Sequence, residues 1–232
     1  MNITNVVSTL KRRLGIKYFN LPISDDDYME VILEDTLPTF SSYYPYYIDI
    51  PLDTQRDKVE PNIFKINRKF LAEYMEIVTV EDVHYTPNIG AYPFGYQANI
   101  YDYIDINAGM NAEGMMNIPI PFEFRFPDKI KIEENIYGEY GNGLYLRVGV
   151  THHKSLATIS VGLKEAFMRL TELDIRKFLY ENLKHFDKVD TTFGQIDLNL
   201  DAWQSADDDR TALLNEWEET YLNNREKKIW NA

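Results

Sequence analysis

The spacing of apolar side chains changes twice along this chain, and that change constrains the fold more than any other feature. In residues 122–126, Phe122, Phe124 and Phe126 alternate with Glu123 and Arg125, which predicts a strand with one buried and one solvated face. Before and after the strand-rich middle, the spacing is helical; the first helical face holds Ile3, Val6, Val7, Leu10 and Leu14. The pattern predicts an α+β fold in which an antiparallel β-rich middle is flanked by short N-terminal helices and by C-terminal helices.

Two short helices are predicted at the N-terminus. Gly15 stands where a C-terminal cap would end the first of them. Ser24 followed by three aspartates is typical of the start of the second, because serine caps free backbone N–H groups and acids favour the first turn. We interpret these aspartates as solvated charges and not as a cation site. Pro38 is expected to end this helix.

Five segments between residues 45 and 150 are rich in β-branched and aromatic residues and are predicted as strands. They are YYIDIPL, NIFKI, MEIVTVEDVHY, PFEFRFPDKIKI and GLYLRVGVTH. Asn142-Gly143 is a strong signal for a tight hairpin turn. This succession favours an antiparallel sheet over βαβ units.

The C-terminal part is predicted to be mainly helical from Ser160 onward. One apolar stripe ends at Leu170 and a second, out of phase, starts at Ile175, so a kink or break is expected near Asp174. A last helix is predicted from Ser205 to around Lys227. Between them lies a short predicted strand with its apolar side chains at Ile196, Leu198 and Leu200.

Residues 1–232 are predicted as a single domain in three parts, 1–43, 44–150 and 151–232. An irregular insert at 85–119 interrupts the β-rich part; it is rich in glycine, asparagine, tyrosine and methionine and contains no lysine or arginine. Long connections inside a compact domain are usually functional or flexible. Methionine and tyrosine surfaces suit protein partners, and a loop folded over the sheet is the alternative.

The composition excludes several classes of function. The net charge of −13 disfavours specific binding to nucleic acid, because an acidic surface repels phosphates. Without any cysteine there is no disulfide, thiolate metal site or cysteine nucleophile, which fits assembly in a reducing cytoplasm. The sequence has no apolar run long enough to cross a membrane and no signal peptide at its start, so no membrane partner is expected.

The stretch THHKSLATIS, residues 151–160, is the strongest candidate for chemistry. Ser155 and Ser160 lack the flanking glycines of a nucleophile elbow. His152 and His153 are adjacent at the end of a predicted strand, where their side chains point to opposite faces and cannot share a metal ion. A strand end, a polar turn and a capping serine explain every residue, so we interpret the stretch as a joint between a strand and a helix.

A second candidate site is a pattern of oxygen-bearing side chains that resembles a calcium loop, at Asp197, Asn199 and Asp201. Ala202 stands where such a loop needs glycine, so a strand followed by a capped helix is the simpler interpretation. Binding of a cation by these three residues stays open. The sequence holds no phosphate-loop, dinucleotide or zinc-protease motif, and it predicts no cofactor and no catalytic residue.

Tyrosine, with 17 residues, is the most unusual component of the chain. Tyrosine is enriched at protein–protein interfaces, although it is also common on half-buried sheets. We therefore expect an interface-rich surface. The candidate interface residues are Tyr43, Tyr44, Tyr46 and Tyr47, together with Tyr92, Phe94, Tyr96, Met110, Met115 and Met116 of the insert.

Two segments resemble virion proteins of large tailed bacteriophages. They are LGIKYFNLPISDDDYMEVILEDTLPTFSSYYP, residues 14–45, and FGQIDLNLDAWQSADDDRTALLNEWEETY, residues 193–221. They are most similar to neck, or head–tail connector, components of contractile-tailed phages. The resemblance implies a virion structural protein, assembled in the host cytoplasm, that forms a ring of identical subunits between portal and tail. Its neighbours would be portal, connector or tail-terminator subunits, and an acidic lumen would let DNA pass without binding.

Three alternatives stay open from the sequence. The chain could instead be a baseplate or other tail component. A carboxylate-based hydrolase is a second alternative, because a pair of acids brought together by the fold leaves no sequence signature. A monomeric protein-binding module is the third, and it would show one exposed apolar patch.

Overall fold

The chain forms two compact units: Met1–Tyr46 with Thr151–Ala232 make the first unit, and Tyr47–Val150 make the second. The computed structural model describes residues 1–17, 21, 23–72, 75–85, 120–132, 144–184, 188–191, 194–197 and 201–230. Helices precede and follow a strand-rich middle whose sheets are antiparallel, which confirms the predicted α+β class. The interpretation as a single domain stays a prediction.

The first unit is mainly helical. Its helices are α1 Ile3–Arg13, α2 Asp25–Val31, α3 Leu37–Tyr43, α4 Lys164–Leu183, α5 Asp201–Gln204 and α6 Ala206–Trp230. A π-helical turn, Ile32–Thr36, joins α2 to α3, and a 3-10 turn, Val161–Leu163, leads into α4. The strands β8 Lys188–Thr191 and β9 Gly194–Asp197 form a separate antiparallel hairpin.

The caps of the first two helices are as predicted. Gly15 follows α1 with a φ of 73°, the left-handed conformation that glycine adopts at low cost. At the start of α2, the Ser24 hydroxyl accepts a hydrogen bond from the Asp27 N–H, while the Asp27 carboxylate accepts one from the Ser24 N–H. The Asp27 carboxylate also accepts a hydrogen bond of 2.8 Å from the Ser24 hydroxyl, and this bond, together with the one from the Ser24 N–H, lowers the pKa of Asp27. The two helices are tied together by an ion pair between Lys11 and Asp25.

The prediction that Pro38 ends the second helix is wrong. Helical structure continues through the π-helical turn into α3, where Pro38 occupies the first turn. Within the turn the Leu37 N–H bonds to the Ile32 carbonyl, five residues earlier. Proline is excluded from helix interiors because it lacks an N–H and clashes with the carbonyl four residues before it. A wider turn directly before Pro38 relieves that constraint.

The predicted break near Asp174 is also wrong, since α4 is one continuous helix of 20 residues. Asp174 is buried and joins three elements. Its Oδ2 accepts a hydrogen bond of 2.7 Å from the Thr36 hydroxyl of the π-helical turn. Its Oδ1 accepts one of 2.6 Å from Nε of Arg210 on α6, and Nη2 of Arg210 reaches the Thr39 hydroxyl of α3 at 3.2 Å.

The two apolar stripes of α4 are out of phase because the helix is packed on more than one side. Its buried residues are Phe167, Met168, Leu170, Thr171, Leu173, Asp174, Ile175, Leu179 and Leu183. The core of the first unit includes Phe40 of α3, whose ring lies 5.2 Å from that of Phe167 and 5.9 Å from that of Trp217 on α6. Aromatic contacts of this edge-on type stabilise a core beyond their buried area. Helix α4 is therefore the central element of the first unit.

The second unit consists of two sheets. Strands β1 Tyr46–Leu52, β4 Ile77–Tyr85 and β7 Leu144–Val150 form one sheet in the order β1-β7-β4. Strands β2 Lys58–Glu60, β3 Ile63–Lys65, β5 Phe122–Arg125 and β6 Lys129–Ile132 form the other, in the order β2-β3-β6-β5. A 3-10 turn, Arg68–Phe70, follows β3. The shared apolar core includes Ile50, Phe64, Val83, Ile130, Leu146 and Val148.

The segment PFEFRFPDKIKI forms a hairpin and not the one strand that was predicted. Strand β5 ends at Arg125, and the turn places the side chain of Phe126 in solvent, with 78% of its surface exposed. Pro127 has no N–H for a sheet ladder, which explains why the alternation stops short of Phe126. The predicted hairpin at Asn142-Gly143 and the insert after residue 85 lie outside the described residues.

The C-terminal strand and helix are present where the sequence predicts them. Ile196 lies in β9, whereas Leu198 and Leu200 are outside the described residues. The partner strand β8 was missed. The last helix begins directly after Ser205 and runs to Trp230, slightly beyond the predicted end. Within the described ranges, no helix combines the length and apolar character needed to cross a membrane.

The buried carboxylate gives a first prediction. Replacing Asp174 by alanine leaves Arg210 without its anion and Thr36 without its acceptor. We expect the free energy of unfolding to fall by about 3 kcal/mol, because removing one partner of a buried ion pair leaves the other charge buried without compensation. Urea denaturation followed by circular dichroism measures this change.

The control variant is Asp207→Ala, which removes an exposed ion pair of 2.7 Å between Lys177 and Asp207 on the same two helices. Exposed pairs contribute little to stability, so this variant should unfold almost as the wild type does. Equal losses in the two variants would contradict the central role of Asp174.

Candidate functional site

The stretch THHKSLATIS connects β7 to the 3-10 turn before α4, as predicted. His152 within it is buried, with 3% of its surface exposed. Its Nε2 lies 2.8 Å from the Tyr44 carbonyl oxygen, and its Nδ1 lies 2.9 Å from the Thr158 hydroxyl. Since a carbonyl can only accept, Nε2 carries the proton and Nδ1 accepts from Thr158. The His152 N–H also donates to the Ser41 hydroxyl at 3.0 Å. Within the first unit, His152 thus binds the start of this stretch to α3 and to Tyr44, the residue that follows the helix.

The electrostatics of His152 fit this structural role. Burial lowers the pKa of His152, because an apolar environment disfavours the charged imidazolium, while the hydrogen bond to Tyr44 acts in the opposite direction. The ring also lies 5.5 Å from that of Phe40 and 6.2 Å from that of Tyr46. The imidazole is a neutral core group with both nitrogens used.

His153 and Ser155 form a local polar turn. Nδ1 of His153 lies 2.7 Å from the Ser155 hydroxyl, and the Ser155 N–H donates to the same nitrogen at 3.1 Å. A catalytic serine and histidine would also need a third group that orients the base, and the contacts of His153 in the described structure include no such group. Ser160 occupies the cap position before the 3-10 turn, but its side chain makes no capping hydrogen bond, contrary to prediction.

The described residues contain no group of three or more His, Asp or Glu side chains placed to hold a metal ion. Of the calcium-like pattern, Asp197 ends β9, Asn199 is outside the described residues and Asp201 begins α5. A helix therefore starts inside the pattern.

The tyrosine cluster, Tyr43, Tyr44, Tyr46 and Tyr47, contains half-buried members and one exposed member. Tyr43 and Tyr44 are half-buried and pack on Trp217, with ring separations of 5.7 Å and 5.0 Å, against the core of the first unit. Tyr46 has 38% of its surface exposed. The guanidinium carbon of Arg147 lies over the ring of Tyr47, 5.5 Å from the centre of that ring. The other candidate interface residues lie outside the described part of the chain: Tyr92, Phe94, Tyr96, Met110, Met115 and Met116.

Sequence reasoning missed the most exposed apolar side chains. Among described residues, Val161 is 92% exposed, Phe126 78%, Phe70 52% and Val59 48%. Three of these, all but Val161, are in the second unit. For Phe126 a signal was present, since Pro127 ends the alternation one residue after it. Exposed aromatic side chains are typical of surfaces that bind other proteins.

A comparison with protein-family models settles the class of this protein. The model described as "Bacteriophage ring protein" matches residues 1–232, the whole chain. The chain belongs to the bacteriophage ring protein family. A search of curated proteins gives no match. Membership confirms the expectation of a phage structural, ring-forming protein and is in keeping with a non-enzymatic role. In a ring-forming phage protein, exposed aromatic side chains are candidates for contacts between subunits.

The buried imidazole gives a second prediction. In the unfolded chain His152 takes up a proton near pH 6.5, whereas in the folded chain its lowered pKa keeps it neutral to lower pH. The unfolded state then binds more protons, so the free energy of unfolding should fall as the pH drops below 6.5. Urea denaturation at a series of pH values measures the slope.

The variant His152→Asn should show a weaker slope in this range. It should also be less stable at neutral pH by about 1–3 kcal/mol, because buried partners lose their hydrogen bonds. His153→Asn, at the neighbouring half-buried histidine, is the matched control; it leaves His152 in place and should retain the loss of stability at low pH that His152 causes. Wild-type stability that does not change below pH 6.5 would contradict the assignment of His152.

Proposed function

We propose that this chain is the subunit of an oligomeric ring in the neck of a tailed bacteriophage, between the capsid portal and the tail. The whole-chain match to the ring protein family carries the proposal. The resemblance of residues 14–45 and 193–221 to neck components supports the neck over other positions. In this role the chain acts by packing and resides in the virion, after assembly in the host cytoplasm. Portal, connector or tail-terminator subunits are its neighbours.

A closed ring of identical subunits needs two different contact faces on each subunit. The tyrosine-rich composition supplies rigid, amphipathic contact area for such faces. Of the four clustered tyrosines, Tyr46 has the exposure that a contact residue needs, and Tyr47 is its neighbour in sequence. Tyr43 and Tyr44 contribute to the contact indirectly. Their packing on Trp217 fixes the C-terminal end of α3, and Tyr46 follows that end closely in the chain. The insert, residues 85–119, is proposed as a second contact element.

The charge of the chain suits a ring that surrounds DNA without binding it. A net charge of −13 repels the phosphate backbone, and the repulsion reaches about 8–10 Å at physiological salt. DNA entering or leaving the capsid can then pass through the lumen without adhering to it. The same charge on every subunit also opposes association, so the contact faces have to overcome it locally.

Ring formation gives the third prediction. The purified chain should form particles of one defined subunit number, seen as rings by negative-stain electron microscopy and weighed by native mass spectrometry. The double variant Tyr46→Ala/Tyr47→Ala should keep the circular dichroism spectrum of the wild type and assemble less well. Tyr180→Ala, which changes a half-buried tyrosine on α4, is the control and should assemble normally.

Two results would contradict parts of this proposal. Unchanged assembly of the double variant would exclude Tyr46 and Tyr47 as contact residues. A wild-type chain that remains monomeric at every concentration tested would contradict self-assembly into a ring.

The position in the virion gives the fourth prediction. Antibodies raised against the purified chain and labelled with gold should bind at the junction of head and tail in electron micrographs of phage particles. Labelling at the far end of the tail would contradict the neck position and would favour the baseplate. Pre-immune serum applied to the same particles supplies the control for background labelling.

A further inference from the structure

The outer face of the sheet β2-β3-β6-β5 carries a row of three cations. Lys65 on β3 pairs directly with Lys129 on β6, and Lys129 pairs directly with Arg125 on β5. Directly opposed residues lie on the same face of an antiparallel sheet with their Cβ atoms about 4.5–5.5 Å apart, and like charges there are destabilising. The side chains of the opposite face, Phe64, Ile130 and Phe124, pack in the core of the unit. The strand register thus brings three like charges together on one face.

Nearby acids neutralise this surface only in part. Asp128 lies 3.7 Å from Lys65 and 3.6 Å from Arg68, and Glu123 lies 3.1 Å from Arg125. Residues 65–69 and 123–131 together hold six basic side chains and two acidic ones, in a chain with 24 basic and 37 acidic side chains. These two segments therefore have the opposite sign to the protein as a whole.

Two exposed aromatic rings lie at the same end of this sheet. Phe126 is 78% exposed and Phe70 is 52% exposed. Phe126 is two residues from Asp128 and Phe70 is two residues from Arg68, and the ion pair between Asp128 and Arg68 brings the two segments together. Aromatic side chains beside a charged rim are typical of a protein-binding surface. We define Lys65, Lys129, Arg125, Phe70 and Phe126 as the cationic face.

The first unit carries a surface of opposite sign. Asp26 and Glu30 on α2 and Glu34 in the π-helical turn are exposed and spaced four residues apart. Like charges at this spacing destabilise a helix. Residues 18–55 contain no lysine or arginine, and in the part of the chain that the structure describes the three carboxylates make no ion pair. We define these three residues as the acidic stripe.

The two surfaces agree in length. Three adjacent strands place the cations across about 10 Å, because neighbouring strands are about 4.8 Å apart. Glu34 follows Asp26 by eight positions, which corresponds to about 12 Å at about 1.5 Å per residue. A helix lying across the strands can therefore bring one carboxylate near each cation.

We propose that the cationic face of one subunit binds the acidic stripe of a second copy of this chain. The inference rests on the proposed ring, to which it adds the two surfaces that meet. The contact is heterologous, since different surfaces of the two copies meet, and such a contact repeated around an axis closes a ring. Electrostatic complementarity fixes the register of the contact and relieves the like-charge repulsion that each surface carries alone.

Single-stranded nucleic acid is the other class of ligand that suits cations beside aromatic rings. Two observations favour the second copy. The chain has a net charge of −13, which repels a polyanion such as nucleic acid. A stripe of matching length and opposite sign is present on the same chain, as a ring of identical subunits requires.

Charge reversal tests the proposal. The cation variant, Lys65→Glu/Lys129→Glu, and the stripe variant, Asp26→Lys/Glu30→Lys/Glu34→Lys, should each raise the concentration needed for assembly by about a hundredfold, because like charges then face each other. An equimolar mixture of the two variants should assemble again, since each supplies the partner that the other lacks. Analytical ultracentrifugation measures assembly, and circular dichroism checks that every variant is folded.

Further variants control for net charge and for folding. Lys164→Glu/Lys184→Glu changes the net charge as much as the cation variant does, at two exposed positions of the first unit, and should assemble as the wild type. Phe126→Ala alters one exposed side chain, so it should fold normally and assemble less well.

The outcomes separate this inference from the proposed function. Rings formed by each charge-reversed variant alone would overturn the inference and leave the ring itself established. Loss of binding to a single-stranded DNA oligonucleotide in the cation variant, with its rings intact, would overturn it in favour of nucleic acid. A wild-type chain without rings at any concentration would contradict the proposed function together with the inference. Assembly restored only in the mixture supports the proposal, because an interaction within one chain cannot be exchanged between two proteins.

Discussion

The buried carboxylate of Asp174 is the interaction on which the first unit depends. It is bound by Arg210 of α6 and by Thr36 of the π-helical turn, so one side chain joins elements that are far apart in sequence. Burial raises the pKa of Asp174, and the hydrogen bonds from Thr36 and Arg210 act against that shift. An isolated buried charge would be very unfavourable. The elements are therefore held in one arrangement, since only that arrangement satisfies the carboxylate. A helix of ordinary apolar packing could slide or rotate more easily.

Much of the fold could be predicted from local patterns, and the errors share one cause. Gly15, the Ser24 cap and the strand segments were recognised because each depends on neighbouring residues. Asp174 was misread as a break because its partners, Thr36 and Arg210, are distant in sequence. The effect of the π-helical turn on Pro38, and the strand β8, likewise depend on the folded chain. The spacing of apolar residues indicates which faces of a helix are apolar, but it does not indicate how many neighbouring elements pack on the helix.

The candidate sites follow the same division. That residues 151–160 form a joint could be read from the sequence, because no nucleophile motif is present. The burial of His152 could not be read from the sequence, since its hydrogen-bond partner, the carbonyl of Tyr44, is distant along the chain. Tyr43 and Tyr44 were grouped with Tyr46 by adjacency alone, whereas the structure separates core from surface. The row of cations needed the pairing register of three strands, which no sequence pattern supplies.

The division of the first unit into Met1–Tyr46 and Thr151–Ala232 has a consequence for synthesis on the ribosome. Helices α1 to α3 emerge early, but α4 and α6, against which they pack, are made more than a hundred residues later. The second unit is continuous in sequence and can fold as soon as Val150 has left the exit tunnel. Until then the apolar faces of the early helices have no partner and are open to holding chaperones. A host that produces many copies of this chain at once therefore has to protect an exposed N-terminal segment on every nascent polypeptide.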